Sequence, residues 1–185
     1  MITGLTGKNA AGKGVTSEYL KSKGFIYYSL SDFLREEATK RGLLHTRDNL
    51  INLGNELRAE FGSSFLAIKA NERINKMLKM NPNQNFVIDS IRSPYEVKEL
   101  MKNKKFILVS VEAPIEMRFE RIRKRNRTGD AKSLEELRLH EEMENTSSET
   151  SQQLDKTISL SKKRIVNDGS FDELYKKIDD LLIKI

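Results

Sequence analysis

The chain contains no cysteine and only two histidines, His45 and His140, among its 185 residues. The first absence excludes a disulfide scaffold and any thiolate metal site, and two histidines fall short of a histidine cluster. No apolar run reaches the roughly 18 residues that a membrane span needs, so a membrane-embedded protein is not expected. The chain enters strand-like sequence at its first residues, which leaves no room for a signal or transit peptide and points to the cytoplasm. Repeats, low-complexity stretches and linkers are also missing. A chain of this length suits one domain, 1–185, with a core of ordinary size and a small inserted lid. With 37% hydrophobic and 32% charged residues it reads as globular, and its net charge of +6 favours anionic partners: nucleotides, coenzymes or nucleic acid.

What is present is concentrated near the start. Residues 7–14, Gly7-Lys8-Asn9-Ala10-Ala11-Gly12-Lys13-Gly14, read G-x-x-x-x-G-K followed by Gly, where the phosphate-loop signature has Ser or Thr. Such a loop turns backbone N–H groups inward around an anion, and Lys13 adds a fixed positive charge. A short β-prone run, 1–6, precedes it and helical spacing from 15 to 23 follows. The loop is therefore expected between a strand and a helix N-terminus, where the helix dipole also favours phosphate. Asn9, Ala10, Ala11, Gly12, Lys13 and Gly14 would donate backbone N–H groups, with Lys13 reaching the β and γ phosphates of ATP. Gly14 removes the hydroxyl that would ligate Mg²⁺ directly. The ion would then be held by phosphates and waters, with a carboxylate organising the waters. Thr16 lies one residue too far along to be a simple replacement.

Strand-like runs recur at 1–6, 25–29, 86–90, 106–112 and 164–167, separated by helical patterns. This alternation predicts parallel crossovers and a three-layer α/β domain of about five strands. Phe86-Val87-Ile88 and Phe106-Ile107-Leu108-Val109 are near-continuous apolar runs, as expected of strands buried on both faces. Helix starts are marked by the capping boxes Ser133-x-x-Glu136 and Ser170-x-x-Glu173, by Thr46, and by Pro94 and Pro114 in first-turn positions. The best loop candidate in the second half is 126–132, with Thr128-Gly129-Asp130.

Asp89 ends a central apolar strand, where a metal-organising acid belongs. Arg92 follows on the same rim, suited to clamping an acceptor phosphate, and Arg35 opens a helix after the second strand in Ser31-Asp32-Phe33-Leu34-Arg35. The densest run of charge is Arg118-Phe119-Glu120-Arg121-Ile122-Arg123-Lys124-Arg125-Asn126-Arg127, in which Arg118, Arg121 and Arg125 share one helical face. Stacked like charges are unfavourable unless an anion offsets them, so this face is expected to bind polyphosphate and to stabilise a transferring phosphoryl group. Nucleic acid would require aromatic stacking platforms nearby. Only Phe119 is close, at core-like spacing, which argues against that partner. His140, in an acidic run, reads as a solvated helical residue.

These motifs together resemble the P-loop nucleoside-monophosphate kinases, and more closely the adenylate-kinase-related and dephospho-CoA-kinase-like proteins of archaea. The resemblance touches nearly the whole chain. It implies a P-loop kinase fold with ATP and Mg²⁺ as cofactors and a short arginine-bearing lid at about 118–132. Acceptor-binding helices would lie at about 31–80. On the matching positions, Asp89 becomes the metal-side acid, Arg35 and Arg92 the acceptor arginines, and Arg58 a weaker acceptor-side candidate. Arg121 and Arg125 match the R-x-x-x-R lid signature, and Asn167-Asp168-Gly169 resembles the loop whose backbone meets adenine. Val15 stands where adenylate kinases carry a Thr that meets the α-phosphate. The paired-Asp segment of dephospho-CoA kinases is represented by Asp32 alone, as an acceptor-orienting group or a base. The expected activity is ATP-dependent phosphorylation of a nucleoside or deoxynucleoside monophosphate. Two alternatives stay open: a dephospho-CoA acceptor, or a P-loop ATPase switch that binds RNA or a protein.

Overall fold

Strands whose side chains are apolar on both sides need a helical layer on each face, and the elements are arranged to supply one. A computed structural model of the protein describes residues 1–127, 129–145 and 152–183; Thr128, in the expected lid loop, lies outside the described residues. In chain order the elements are β1 (Ile2–Thr6), α1 (Lys13–Ser22), β2 (Ile26–Ser29), α2 (Leu30–Lys40), α3 (Arg47–Phe61), α4 (Phe65–Met80), β3 (Phe86–Asp89) and α5 (Pro94–Leu100). They continue as β4 (Phe106–Glu112), α6 (Ile115–Arg125), α7 (Leu134–Met143), α8 (Leu154–Ser159), β5 (Lys163–Val166) and α9 (Phe171–Ile183).

The strands form one sheet in the order β2-β3-β1-β4-β5, and every pairing is parallel. β1 lies in the middle and is buried along its whole length. Alternation along the strands sorts the core into two layers. Ile2, Phe86, Ile88 and Leu108 face α2, α4 and α5 through Leu30, Phe33, Ala70, Ile74, Val97 and Leu100. Leu5, Val87, Val109, Val111 and Ile165 face α1 and α9 through Leu20, Leu174 and Ile178. Because the strands run parallel, all their C-terminal ends open on one edge, and the connections leaving β1, β2, β3, β4 and β5 gather there. The chain steps from β1 to neighbours on either side, so a crevice is expected at that edge. Among the described residues, no helix is long and apolar enough to cross a membrane.

Several expectations shift in detail. α1 begins at Lys13, two residues earlier than the side-chain pattern indicates, since the phosphate-loop glycines carry no periodicity. β5 ends at Val166, although the Asn167 N–H still donates to the Glu112 carbonyl at 2.7 Å. Pro114 is the N-cap of α6 rather than a first-turn residue. Thr46 caps α3 as expected, its hydroxyl accepting from the Asn49 N–H. At Ser133 the hydroxyl caps Glu136, but the Glu136 carboxylate reaches the Lys132 N–H, one residue before the expected partner.

A further capping box escaped the sequence reading, although Ser93-x-x-Glu96 carries its signature. Ser93 accepts from the Tyr95 N–H at 3.2 Å, and Glu96 accepts from the N–H groups of Ser93 at 3.1 Å and Arg92 at 2.8 Å. Glu96 is buried, and its other carboxylate oxygen lies 3.8 Å from Arg58, itself buried on α3. Burial pushes the Glu96 carboxyl up, with the Arg58 charge acting against it. Glu96→Ala should cost about 3 kcal/mol, because it strands a buried cation. Ser93→Ala, which removes one cap acceptor, should cost about 1 kcal/mol. Urea denaturation distinguishes them; equal, small losses would contradict a buried ion pair that supports the rim.

Candidate active site

The phosphate loop holds its shape through backbone conformations that few residues tolerate. Gly7 has φ 141°, Gly12 has φ 114° and Ala10, an L-residue, has φ 59°. A Cβ on Gly7 would lie 2.1 Å from the Val111 carbonyl oxygen, and one on Gly12 would lie 2.1 Å from Asn167 Nδ2. Both positions therefore require glycine for space as well as for torsion. Gly14 differs: it is exposed, its φ is ordinary, and a Cβ there would meet nothing within 4 Å. Val15 packs with Leu5, Leu20 and Tyr19 in the layer under α1. The buried Thr16 hydroxyl donates to the Gly12 carbonyl at 3.1 Å, so it serves the first helical turn.

Lys13 folds back over the loop, its Nζ donating to the carbonyls of Gly7 at 2.6 Å and Lys8 at 3.1 Å. Desolvation lowers its pKa to about 8, with the Asp89 and Glu144 charges working the other way and Arg92 and Arg118 adding to the depression. Those five side chains therefore share one electrostatic neighbourhood.

Asn167 ties two loops together. Its Nδ2 donates to the Ala11 carbonyl at 2.8 Å, and its own carbonyl accepts from Arg121 at 3.0 Å. Arg121 also reaches the Ala10 carbonyl at 3.4 Å. Among the described residues its partners are carbonyls alone, and desolvation holds its guanidinium below the ordinary arginine range. Arg125 instead binds Asp130 at 2.5 and 2.8 Å while touching Asn9 Oδ1 at 3.1 Å. Arg118, on the same face, is buried in a pair with Glu141, which also meets Lys8 at 3.2 Å. These arginines belong to helix α6, so the expected lid is mostly helix, followed by the loop that carries Asp130. Gly169 lies beside Glu173, whose carboxylate caps α9 by accepting from the Ser170 N–H at 2.7 Å.

Across the edge, Asp89 accepts from the Ser90 N–H at 2.6 Å, where Ser90 takes the left-handed φ of 65°. Strain of that kind clusters where a chain must turn sharply at a working rim. Arg92 donates to Glu144 at 2.8 Å and to Gln152 at 3.0 Å. Asp32 and Arg35 pair at 2.7 Å in the first turns of α2, both about half exposed. Burial, followed by the charges of Asp89 and Asp32, pushes the nearby Tyr27 phenol up, which places α2 beside the end of β3. Among the described residues no three carboxylates or histidines converge as a metal cage. The donor set fits a polyphosphate: two cations that, among the described residues, are held only by carbonyls stand over a loop at a helix N-terminus.

The AAA domain family model matches residues 4–152. A UPF0200 protein of Pyrococcus furiosus is 34% identical, over 100% of this chain and 97% of its own length. The chain belongs to the UPF0200 family. A second UPF0200 protein, from Methanocaldococcus jannaschii, is 31% identical over 100% of this chain and 90% of its own. A longer UPF0200/UPF0201 relative from Archaeoglobus fulgidus is spanned over 55% of its length. Among solved structures, TT1252 from Thermus thermophilus superposes with a TM-score of 0.63 at 20% identity, covering 100% and 97% of the two chains. The shikimate kinase of Aquifex aeolicus gives 0.53 at 18% identity, with 100% and 97% covered. The dephospho-CoA kinase of Campylobacter jejuni gives 0.51 at 14%, with 99% and 96% covered. This UPF0200 chain thus has the fold of the P-loop kinases.

The loop chemistry yields two measurable consequences. Asn167→Ala should weaken binding of a non-hydrolysable ATP analogue about tenfold, because it frees a positioning contact; unchanged affinity by calorimetry would remove its clamping role. Lys13, with its pKa near 8, is partly neutral in the free protein at that pH, and a bound polyphosphate favours the charged form. Binding should therefore take up a proton, and affinity should fall as pH rises through about 8, as titrations in buffers of different ionisation heat would reveal. Between about 8 and 10.5 the unfolded chain keeps this proton while the folded one releases it, so the contribution of Lys13 to stability rises with pH there.

Proposed function

We propose that this chain is an ATP-dependent phosphotransferase acting on a small molecule. The observation that carries the reading is that, among the described residues, Lys13 and Arg121 pair with backbone carbonyls alone, directly over a phosphate loop. Two desolvated cations without carboxylate partners are poised for a polyanion, and in ATP the β and γ phosphates supply it. Lys13 would hold the bridging region of the donor, and the loop amides from Asn9 to Gly14 would surround it. Arg121 and Arg125 would meet charge that spreads over the group in flight. Magnesium, when bound, would neutralise phosphate charge, with Asp89 as the residue that holds it through water. Transfer would then rest on alignment and electrostatics, without a covalent enzyme intermediate.

The acceptor would lie on the β2–β3 side of the crevice, near Asp32, Arg35 and Arg92. The motif pattern favours a nucleoside monophosphate. A hydroxyl acceptor such as dephospho-CoA is supported by Asp32, a half-exposed carboxylate able to take a proton at that rim. The RNA- or protein-binding switch draws less support, because Arg118, Arg121 and Arg125 turn onto the loop and its neighbours instead of outward.

ADP formation measured with ATP, Mg²⁺ and a panel of nucleoside monophosphates, deoxynucleotides and dephospho-CoA tests the reading. Lys13→Ala and Arg121→Ala should each lower acceptor-dependent turnover by about 10²-fold or more, with folding unchanged by circular dichroism. Turnover retained in both variants, or ADP release indifferent to every acceptor, would sink it.

A further inference from the structure

Each of the three arginines that the sequence pattern places at an acceptor phosphate is matched by an acid. Arg35 pairs with Asp32 at 2.7 Å, Arg58 faces Glu96 at 3.8 Å, and Arg92 donates to Glu144 at 2.8 Å. On the donor side Lys8, Arg118 and Arg125 are matched by acids too, but Lys13 and Arg121 bond to carbonyls. Charge available to an anion is therefore left over the phosphate loop and cancelled at the opposite rim.

Arg92 decides the matter, because its partner is no loose surface acid. The Glu144 side chain is 14% exposed, and the backbone around it is held by the Leu154 N–H donating to the Glu144 carbonyl at 3.2 Å. Arg92 is fixed on three sides as well. Its Nη1 also donates to Gln152 at 3.0 Å, its carbonyl accepts from the Gln153 N–H at 3.0 Å, and its N–H donates to Glu96 at 2.8 Å. With the Arg92 side chain 29% exposed the pair is half-buried, and its further hydrogen bonds make it harder to exchange than a fully exposed pair. A dianionic acceptor arriving here would meet Glu144, Asp89 and Asp32 along with the arginines.

We infer that Glu144 sets the acceptor class: by neutralising Arg92 it makes the rim accept a hydroxyl group and turn away a phosphate monoester. This deepens the phosphotransferase reading and rests on it. In the step, the acceptor hydroxyl oxygen forms a bond to the γ-phosphorus of ATP. The bond from that phosphorus to the β–γ bridging oxygen breaks, and ADP leaves with the electron pair. The hydroxyl proton passes to the Asp32 carboxylate and from there to water. The product is a phosphate monoester, so the reaction that consumes it must be one that uses a phosphorylated alcohol.

The test compares the wild type with Glu144→Gln, which keeps a hydrogen-bond acceptor for Arg92 but removes the charge, and with Glu144→Asp, which keeps the charge. The panel contains AMP, GMP, CMP and UMP against nucleosides, hexoses and dephospho-CoA. The wild type and Glu144→Asp should favour a hydroxyl acceptor in kcat/KM, and Glu144→Gln should move that ratio about tenfold or more toward a monophosphate. A wild type that prefers a monophosphate, or a Glu144→Gln variant that loses both classes equally, overturns the inference. Calorimetric titration of AMP into protein loaded with a non-hydrolysable ATP analogue provides a readout independent of turnover. AMP binding gained only in Glu144→Gln supports the role of Glu144 even if no acceptor is turned over, an outcome that would remove the phosphotransferase reading alone. Equal AMP binding in both proteins removes the role of Glu144.

Discussion

Peptide amides converge on one point only when the backbone reverses its usual hand, and that constraint organises the crevice. Gly7, Ala10 and Gly12 all take positive φ, and the first and last are closed in by the Val111 carbonyl and the Asn167 side chain. The loop is thus shaped from both sides: β4 supplies one wall and the turn after β5 the other. Placing β1 between β3 and β4 makes this possible, since the loop leaving β1 then has neighbours on each flank. Arg121 finishes the arrangement by joining the Ala10 and Asn167 carbonyls from a third element, α6. Three segments far apart in the chain meet at a few hydrogen bonds, and the conformation of each depends on the other two.

Electrostatically the crevice is divided. Lys13 and Arg121 are held by carbonyl dipoles, whereas Lys8, Arg118 and Arg125 beside them, like the cations on the β2–β3 side, are held by full charges. Acidic residues in and next to α7 and α8 supply several of those charges. Glu141 holds Arg118 and Lys8, Asp155 approaches Lys8 at 3.6 Å, and Glu144 holds Arg92. The loop and the rim are consequently braced by the same short stretch of chain.

Much of the fold was legible in the sequence for simple reasons. The five strands fall within a residue or so of their expected limits, because Phe86-Val87-Ile88 and Phe106–Val109 have no polar position to mislead, and the phosphate loop marks the strand before it. Asp89 ends β3, Arg92 follows it in the loop and Lys13 opens α1 after β1, so all three lie at the C-terminal edge of the sheet. What spacing could not supply was the partner across space. Periodicity put Arg118, Arg121 and Arg125 on one face of α6, yet their environments differ: Glu141, two carbonyls and Asp130 respectively. Glu141 and Glu144 sat in a run that reads as solvated, and the packing that buries Glu141 is set by α6, a different element. The Ser93–Glu96 box shares its helix start with Pro94, so two signals coincide at one position.

Gly14 carries a consequence of another kind. Glycine within a helix is less favourable than alanine by roughly 0.5–1 kcal/mol, and here no neighbour demands the missing side chain. Steric room is therefore not what keeps an alcohol from the place where other phosphate loops coordinate their cation. A side chain added at this position would enter open space, with no shift of neighbouring atoms needed to receive it.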